Sequence, residues 1–130
     1  MESVNKVTAG VSVTVSTEYQ PEYSAPIQNH YVFTYKIVIE NHSSSTVQLI
    51  SRLWYIYDSN GTVRVVQGDG VVGQQPTLEP GDKHEYISGC NLRTGMGKMN
   101  GFYMMERVID GHLFEVHIPE FSMVVPYFLN

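Results

Sequence analysis

From residue 30 to residue 40 alternation dominates the chain. Tyr31, Phe33, Tyr35, Ile37 and Ile39 fall on one side, and His30, Thr34, Lys36 and Glu40 make up most of the other. A period of two with one wet face predicts a strand of an antiparallel sheet packed on one side. Val11, Val13 and Val15, with Ser12 and Thr14 between them, predict a first strand of the same kind. Residues 47–58 differ: Leu49, Ile50, Leu53, Trp54 and Ile56 put apolar side chains on both faces, which predicts a central strand. Asn60-Gly61 then supplies the positive φ of a tight hairpin, and residues 62–67 return from it. Four glycines and two prolines between 68 and 82 exclude a helix there and are too many for a sheet interior. Short strands resume at 84–88, 99–108 and 113–118, with Asp110-Gly111 turning between the last two. About seven short antiparallel strands without a 3.6-residue period predict two stacked sheets, with Trp54 in the core between them.

Composition sharpens this picture. There are 25 Val and Ile against eight Ala and Leu, and branching at Cβ favours pleated sheet over helix. At 130 residues the chain is one domain that can bury a core without disulfides or metal. The net charge of −5 and the absence of any Lys/Arg cluster exclude nucleic acid as a partner. Cys90 is the lone cysteine, so no internal disulfide forms. The N-terminus has no basic stretch followed by an unbroken apolar run, and no segment approaches the roughly 20 apolar residues of a membrane helix. A cytoplasmic protein without a membrane partner is expected.

The middle of the chain carries a longer signal. Gly68-Asp-Gly70-Val-Val-Gly73-Gln-Gln75-Pro76 continues through Leu78, Pro80-Gly81, Tyr86, Ser88-Gly89 and Leu92 to Thr94, Gly97, Met99, Gly101, Tyr103 and Met105. In that order and spacing these residues resemble the ApaG family. Tyr19, Tyr23, Arg52, Trp54, Phe114, Val116, Ile118-Pro119 and Phe121 agree with it on either side, so the resemblance covers nearly the whole chain. Two departures stand out: Gly95 where the family usually has Pro, and Leu53 where a His is common. The resemblance implies a single immunoglobulin-like, fibronectin type III-like sandwich spanning residues 1–130, with no cofactor and no established enzymatic activity. It also implies a link to cobalt tolerance and magnesium efflux, and a gene neighbourhood shared with a diadenosine tetraphosphate hydrolase. Eukaryotic fusions to an F-box protein and a polymerase-delta-interacting protein imply docking.

The candidate chemistry divides by residue type. Gly68, Gly70 and Gly73 could cradle a phosphate, but Pro76 and Pro80 remove the helix that a dinucleotide loop needs, and Asp69 opposes a polyphosphate. A turn or bulge is the expected use of these glycines. Glu115 with His117, and His84 with Glu85, lack the three or four converging ligands of a metal site. Cys90 with Ser88 and His84 offers a nucleophile and base only if folding gathers them. Tyr19 and Tyr23 sit in a Glu/Pro-containing connection, either as interface rings or folded over a sheet edge. Tyr127 and Phe128 fit no strand face. The apolar segment 123–129 must pack on its own sheet or meet another chain, a homodimer through a sheet edge being the alternative. The expected function is a non-catalytic module docking a protein through its loops and one sheet face. Gly68, Asp69, Gly70, Gly73 and Gln75 form the candidate binding loop, and Tyr19, Tyr23, Asp58 and Asn60 the candidate partner surface. The rival is a sensor of a nucleotide, polyphosphate or divalent cation at residues 68–73.

Overall fold

The computed structural model describes residues 3–129 and contains nine strands in two antiparallel sheets. The first sheet has the order β1-β2-β3-β7, built from β1 (Ser3–Thr8), β2 (Val11–Tyr19), β3 (Tyr31–Asn41) and β7 (Lys83–Leu92). β1 precedes the first strand expected from the sequence. Its Val4 and Val7 fall on opposite faces, so no alternation announces it, and its residues are mostly exposed. Ala9 and Gly10, both with positive φ (51° and 81°), make the turn into β2. β7 runs four residues beyond the expected end at Ser88. Gly89 pairs with Thr34 and the ladder continues, bringing Cys90 and Leu92 into the core.

The second sheet has the order β5-β4-β8-β9, from β4 (Val47–Asp58), β5 (Val63–Asp69), β8 (Met96–Arg107) and β9 (His112–Val124). The two-residue β6 (Thr77–Leu78) pairs with the start of β4. β4 is central, as its two apolar faces predict. The hairpin at Asn60-Gly61 closes with the Asp58 amide donating to the Thr62 carbonyl at 2.9 Å. Two bulges interrupt the sheet: Ile50 is extra between Leu49 and Ser51, and Pro119-Glu120 face Asn100 alone. The second bulge lets β9 continue past a proline that cannot join the ladder.

Between the sheets, Tyr35 of the first packs on Trp54 and Phe121 of the second at centroid distances of 5.5 and 5.6 Å. Each such aromatic pair adds about 0.5–1.5 kcal/mol to its area burial. Val11, Val13, Val15, Ile37, Ile39, Leu49 and Met105 fill the rest and are essentially inaccessible. Met123 and Val125 are fully buried, so this part of the apolar C-terminal segment packs on its own sheets. The side chains of Phe128 and Leu129, counted with that segment above, lie outside the described residues. Among the described residues no helix is long and apolar enough to cross a membrane.

The sandwich closes differently along its two sides. Beside β9, the Thr8 hydroxyl of β1 accepts the His117 amide at 3.2 Å. On the other side Arg64 of β5 reaches across to the Asn91 carbonyl of β7.

Candidate functional site

Gly68 and Asp69 are the last residues of β5 rather than part of a loop. Gly68 lies opposite Arg52, and a Cβ there would come within 3.0 Å of the guanidinium. That close approach is what its glycine permits. Arg52 Nη1 donates to the carbonyls of Asp69 (3.0 Å) and Gly70 (2.9 Å). The Ile50 carbonyl, freed from the ladder by the bulge, accepts the Gly70 amide at 2.8 Å and Gln75 Nε2 at 2.9 Å. Val71 and Gln74 exchange amide bonds of 2.8 and 3.0 Å around a two-residue turn in which Val72 (φ 47°) and Gly73 (φ 76°) are both left-handed. Segment 68–76 therefore clamps the edge of β4. The amides of Gly70, Val71 and Gln74 are all committed inside the protein, against the run of free N–H groups that an anion cradle needs.

The hairpin candidates also have work within the fold. The Asp58 carboxylate accepts the Arg93 amide at 2.7 Å and the Thr94 hydroxyl, tying the β4–β5 hairpin to the β7–β8 turn. Asn60 Oδ1 accepts the Thr62 amide at 2.9 Å. The two candidate tyrosines part company. Tyr19 packs on Phe33 (5.3 Å between centroids) and is partly buried, whereas Tyr23 lies in the short 3-10 turn Pro21–Tyr23 and is 69% exposed. Tyr19 lines a cleft of about 480 Å³ with Val4, Val15, Phe33 and Phe121. Tyr127 lies in a C-terminal 3-10 turn, off any strand.

Cys90 and His84 do not form a nucleophile–base pair. With β7 unbroken between them, six residues of strand separate them by about 20 Å. Burial pushes the Cys90 thiol up, and the nearby Arg64 guanidinium offsets this only in part, so the thiolate that a nucleophile requires is disfavoured. Among the described residues no three His, Cys, Asp or Glu side chains converge as metal ligands.

The outer faces of the two sheets are unlike. On the first, Asn5, Thr14, Ser16, Thr34, Lys36, Glu40, Lys83 and Glu85 dominate by register, with Lys36 and Lys83 both paired to Glu85 at 3.6 and 3.4 Å. Val7, Val32, Val38 and Ile87 are scattered among them. On the second, the ladder sets Val63 beside Tyr57 and Lys98, Val65 beside Tyr55 and Asn100, and Gln67 beside Leu53, Phe102 and His117. The next row is Asp69, Ser51, Met104 and Glu115. Val63 and Val65 are 51% and 60% exposed, and no helix or loop covers the row of rings beside them. Lys98 lies 5.2 Å from the Tyr57 centroid and 3.4 Å from Glu120. The bulge leaves a shallow depression of about 300 Å³ on this face, walled by Tyr55, Phe102, His117 and Glu120. Leu53, Asp69, Glu115 and His117 drew attention in the sequence for other reasons, whereas the valines, the rings and Met104 of this face did not stand out as a surface. The signal that marks them is β4's apolar character on both faces in a chain with no helix to cover the second.

Comparison with known proteins agrees with this architecture. The ApaG domain profile matches residues 21–107, more than half of the chain. A protein named Protein ApaG from Brucella canis is 52% identical over 120 residues, covering 92% of each chain. A crystal structure described as the putative ApaA protein of Bordetella pertussis superposes with a TM-score of 0.85 at 45% identity, covering 94% of this chain and 95% of that one. A second X-ray structure from the Northeast Structural Genomics Consortium gives a TM-score of 0.86 at 36% identity, covering 93% and 91%.

Proposed function

The chain belongs to the ApaG domain family, and from that premise we propose that it is a protein-docking module whose contact surface is the outer face of the five-stranded sheet. One observation carries the reading: of two outer faces built by the same backbone, one disperses its valines and Ile87 among charged and hydroxyl side chains, while the other sets Val63, Val65, Tyr55, Tyr57, Leu53, Phe102 and Met104 in adjoining positions. A contiguous apolar face of this kind on a small protein marks an interaction surface, and tyrosine is among the residues enriched there. The candidate segments frame it. Asp58 and Asn60 stand at one end of β5, and Asp69, Gly70, Gly73 and Gln75 at the other. Their internal hydrogen bonds hold the ends of the surface rigid, which lowers the cost of ordering on association. No catalytic group and no cofactor enters this reading.

Site-specific photo-crosslinking in cells tests it. A benzophenone amino acid replaces Tyr55 or Phe102 in one pair of variants and Thr34 or Lys36 in another. Discrete adducts to another protein are expected from the first pair and not from the second. Equal yields from both faces, or adducts only from the polar one, would refute the assignment.

A further inference from the structure

Four strand edges border the sandwich, and three are guarded. β1 carries the exposed Lys6, which has no ion pair among the described residues, and its end is held to β9 through Thr8. β9 contains Pro119 at a bulge. β7 displays Lys83 and Glu85. Charges, prolines and bulges are the usual means by which an edge refuses a further strand. Over Val63–Asp69 β5 has no proline and no bulge, and its two charges are Arg64, bonded within the protein, and Asp69 at the last position. Its ladder to β4 is unbroken for seven residues. Valine occupies positions 63, 65 and 66, all at least 38% exposed. Its one cation, Arg64, is turned inward to the Asn91 carbonyl and the Cys90 sulfur.

We propose that the docked partner contributes an extended strand that adds to the free edge of β5, apolar at alternate positions and basic beside Asp69. The inference rests on the docking reading and names how the partner is held. Strand addition satisfies the exposed backbone groups of the edge and lets alternate side chains of the incoming segment extend the row of Val63 and Val65. Charge fixes the chemistry at one end. Asp69 is exposed and has no ion pair among the described residues, and Glu115 and Glu106 lie in the same and the adjoining rows, where no cation faces outward. A second copy of this chain fits poorly. Residues directly opposite in an antiparallel pair share a face, and Arg64 lies on the face opposite Asp69, so self-pairing about a two-fold axis never sets that cation against that carboxylate. Each copy also brings a net charge of −5.

The test is an NMR titration of the labelled protein with the peptide Ac-KTVTVTK-NH2 and its acidic counterpart Ac-ETVTVTE-NH2. The lysine peptide is expected to shift the amides of 63–69, protect them from exchange, and bind at least tenfold tighter than the acidic one. Val65→Lys should weaken it at least tenfold, and Asp69→Lys should reverse the charge preference. Shifts confined to β1, β7 or β9, no binding, or no charge preference would overturn the proposal. So would a concentration-dependent dimer in sedimentation that Val65→Lys abolishes. Cross-links from Tyr55 without strand addition would sink this inference and leave the docking face standing. Strand addition without cross-links would do the reverse.

Discussion

Tyr103 has no accessible surface, and its hydroxyl meets that of the half-buried Tyr86 at 2.6 Å, one hydrogen bond joining β8 of one sheet to β7 of the other. Removing either hydroxyl strands the other. Tyr86→Phe leaves the Tyr103 hydroxyl enclosed without its partner, a desolvation cost of about 1–3 kcal/mol. Tyr103→Phe leaves the Tyr86 hydroxyl, itself desolvated by burial, equally unpaired, at a cost in the same range of about 1–3 kcal/mol. The double variant strands neither group and should cost less than the sum, with a coupling energy of roughly 1 kcal/mol or more. Urea unfolding followed by the fluorescence of Trp54, the single tryptophan and 2% exposed, measures all three. Alkaline pH gives an independent reading. Burial raises both phenols, so the folded state holds protons that the unfolded chain releases near pH 10. Stability from this pair is complete below about pH 10 and falls as pH climbs toward the folded-state values, and the decline should flatten in the double variant. Strictly additive losses, or an alkaline decline that the double variant leaves unchanged, would refute the reasoning.

Gly101→Ala should destabilise by about 3 kcal/mol or prevent folding, because its Cβ would sit 2.0 Å from the Leu53 carbonyl oxygen; an unchanged urea midpoint would contradict it. Val72→Asn should raise stability by about 1 kcal/mol, since a β-branched residue holds a left-handed turn position (φ 47°) that asparagine tolerates; a loss in thermal unfolding would count against the turn. The Arg107 guanidinium, bidentate on Asp110, and the His112 amide pull that carboxyl down to about 2. Its contribution is present above the unfolded value near 4 and lost as pH falls through about 2. Asp110→Asn should therefore be less stable than the parent at pH 7 and converge with it in acid; a gap independent of pH would exclude the linkage.

The strands that sequence alone located are those whose side chains repeat every second residue against a dry interior. β3 and β4 match the expected spans to within a residue, and Trp54 lies in the inter-sheet core as its central strand requires. The misses share a cause. β1 lacks a buried face, so nothing in its composition separates it from a loop. Glycine usually ends a strand, which sets the expected end of β7 before Gly89, yet cross-strand pairing with Thr34 carries it on. β9 passes Pro119 only because a bulge takes that residue out of the ladder. Candidate residues followed the same logic. The spacing of Gly68, Gly70 and Gly73 announced unusual backbone, but not that Arg52, Ile50 and Gln75 fasten it to β4. Arg52 and Ile50 lie some twenty residues away from it in sequence, where a local pattern carries no information.

The outer face of the second sheet has an energetic scale of its own. Apolar residues on both sides of a central strand belong in sheets covered twice, where helices supply the second layer; here that layer is missing and water takes its place. Seven half-exposed apolar side chains offer of order 350 Å² for burial, worth about 9 kcal/mol at 25 cal/mol per Å². Association costs about 4–15 kcal/mol in lost freedom. Side-chain burial alone thus leaves between about 5 kcal/mol in favour of association and about 6 against it, too little for a lasting complex. A partner held only by this face would come and go. One that also satisfied the free backbone of β5 would gain its affinity from new hydrogen bonds to donors and acceptors that the edge already holds in position. The apolar face then selects for rings and branched chains, while the adjoining edge supplies the grip, which is why a face and an edge that meet along one strand make a better docking site than either separately.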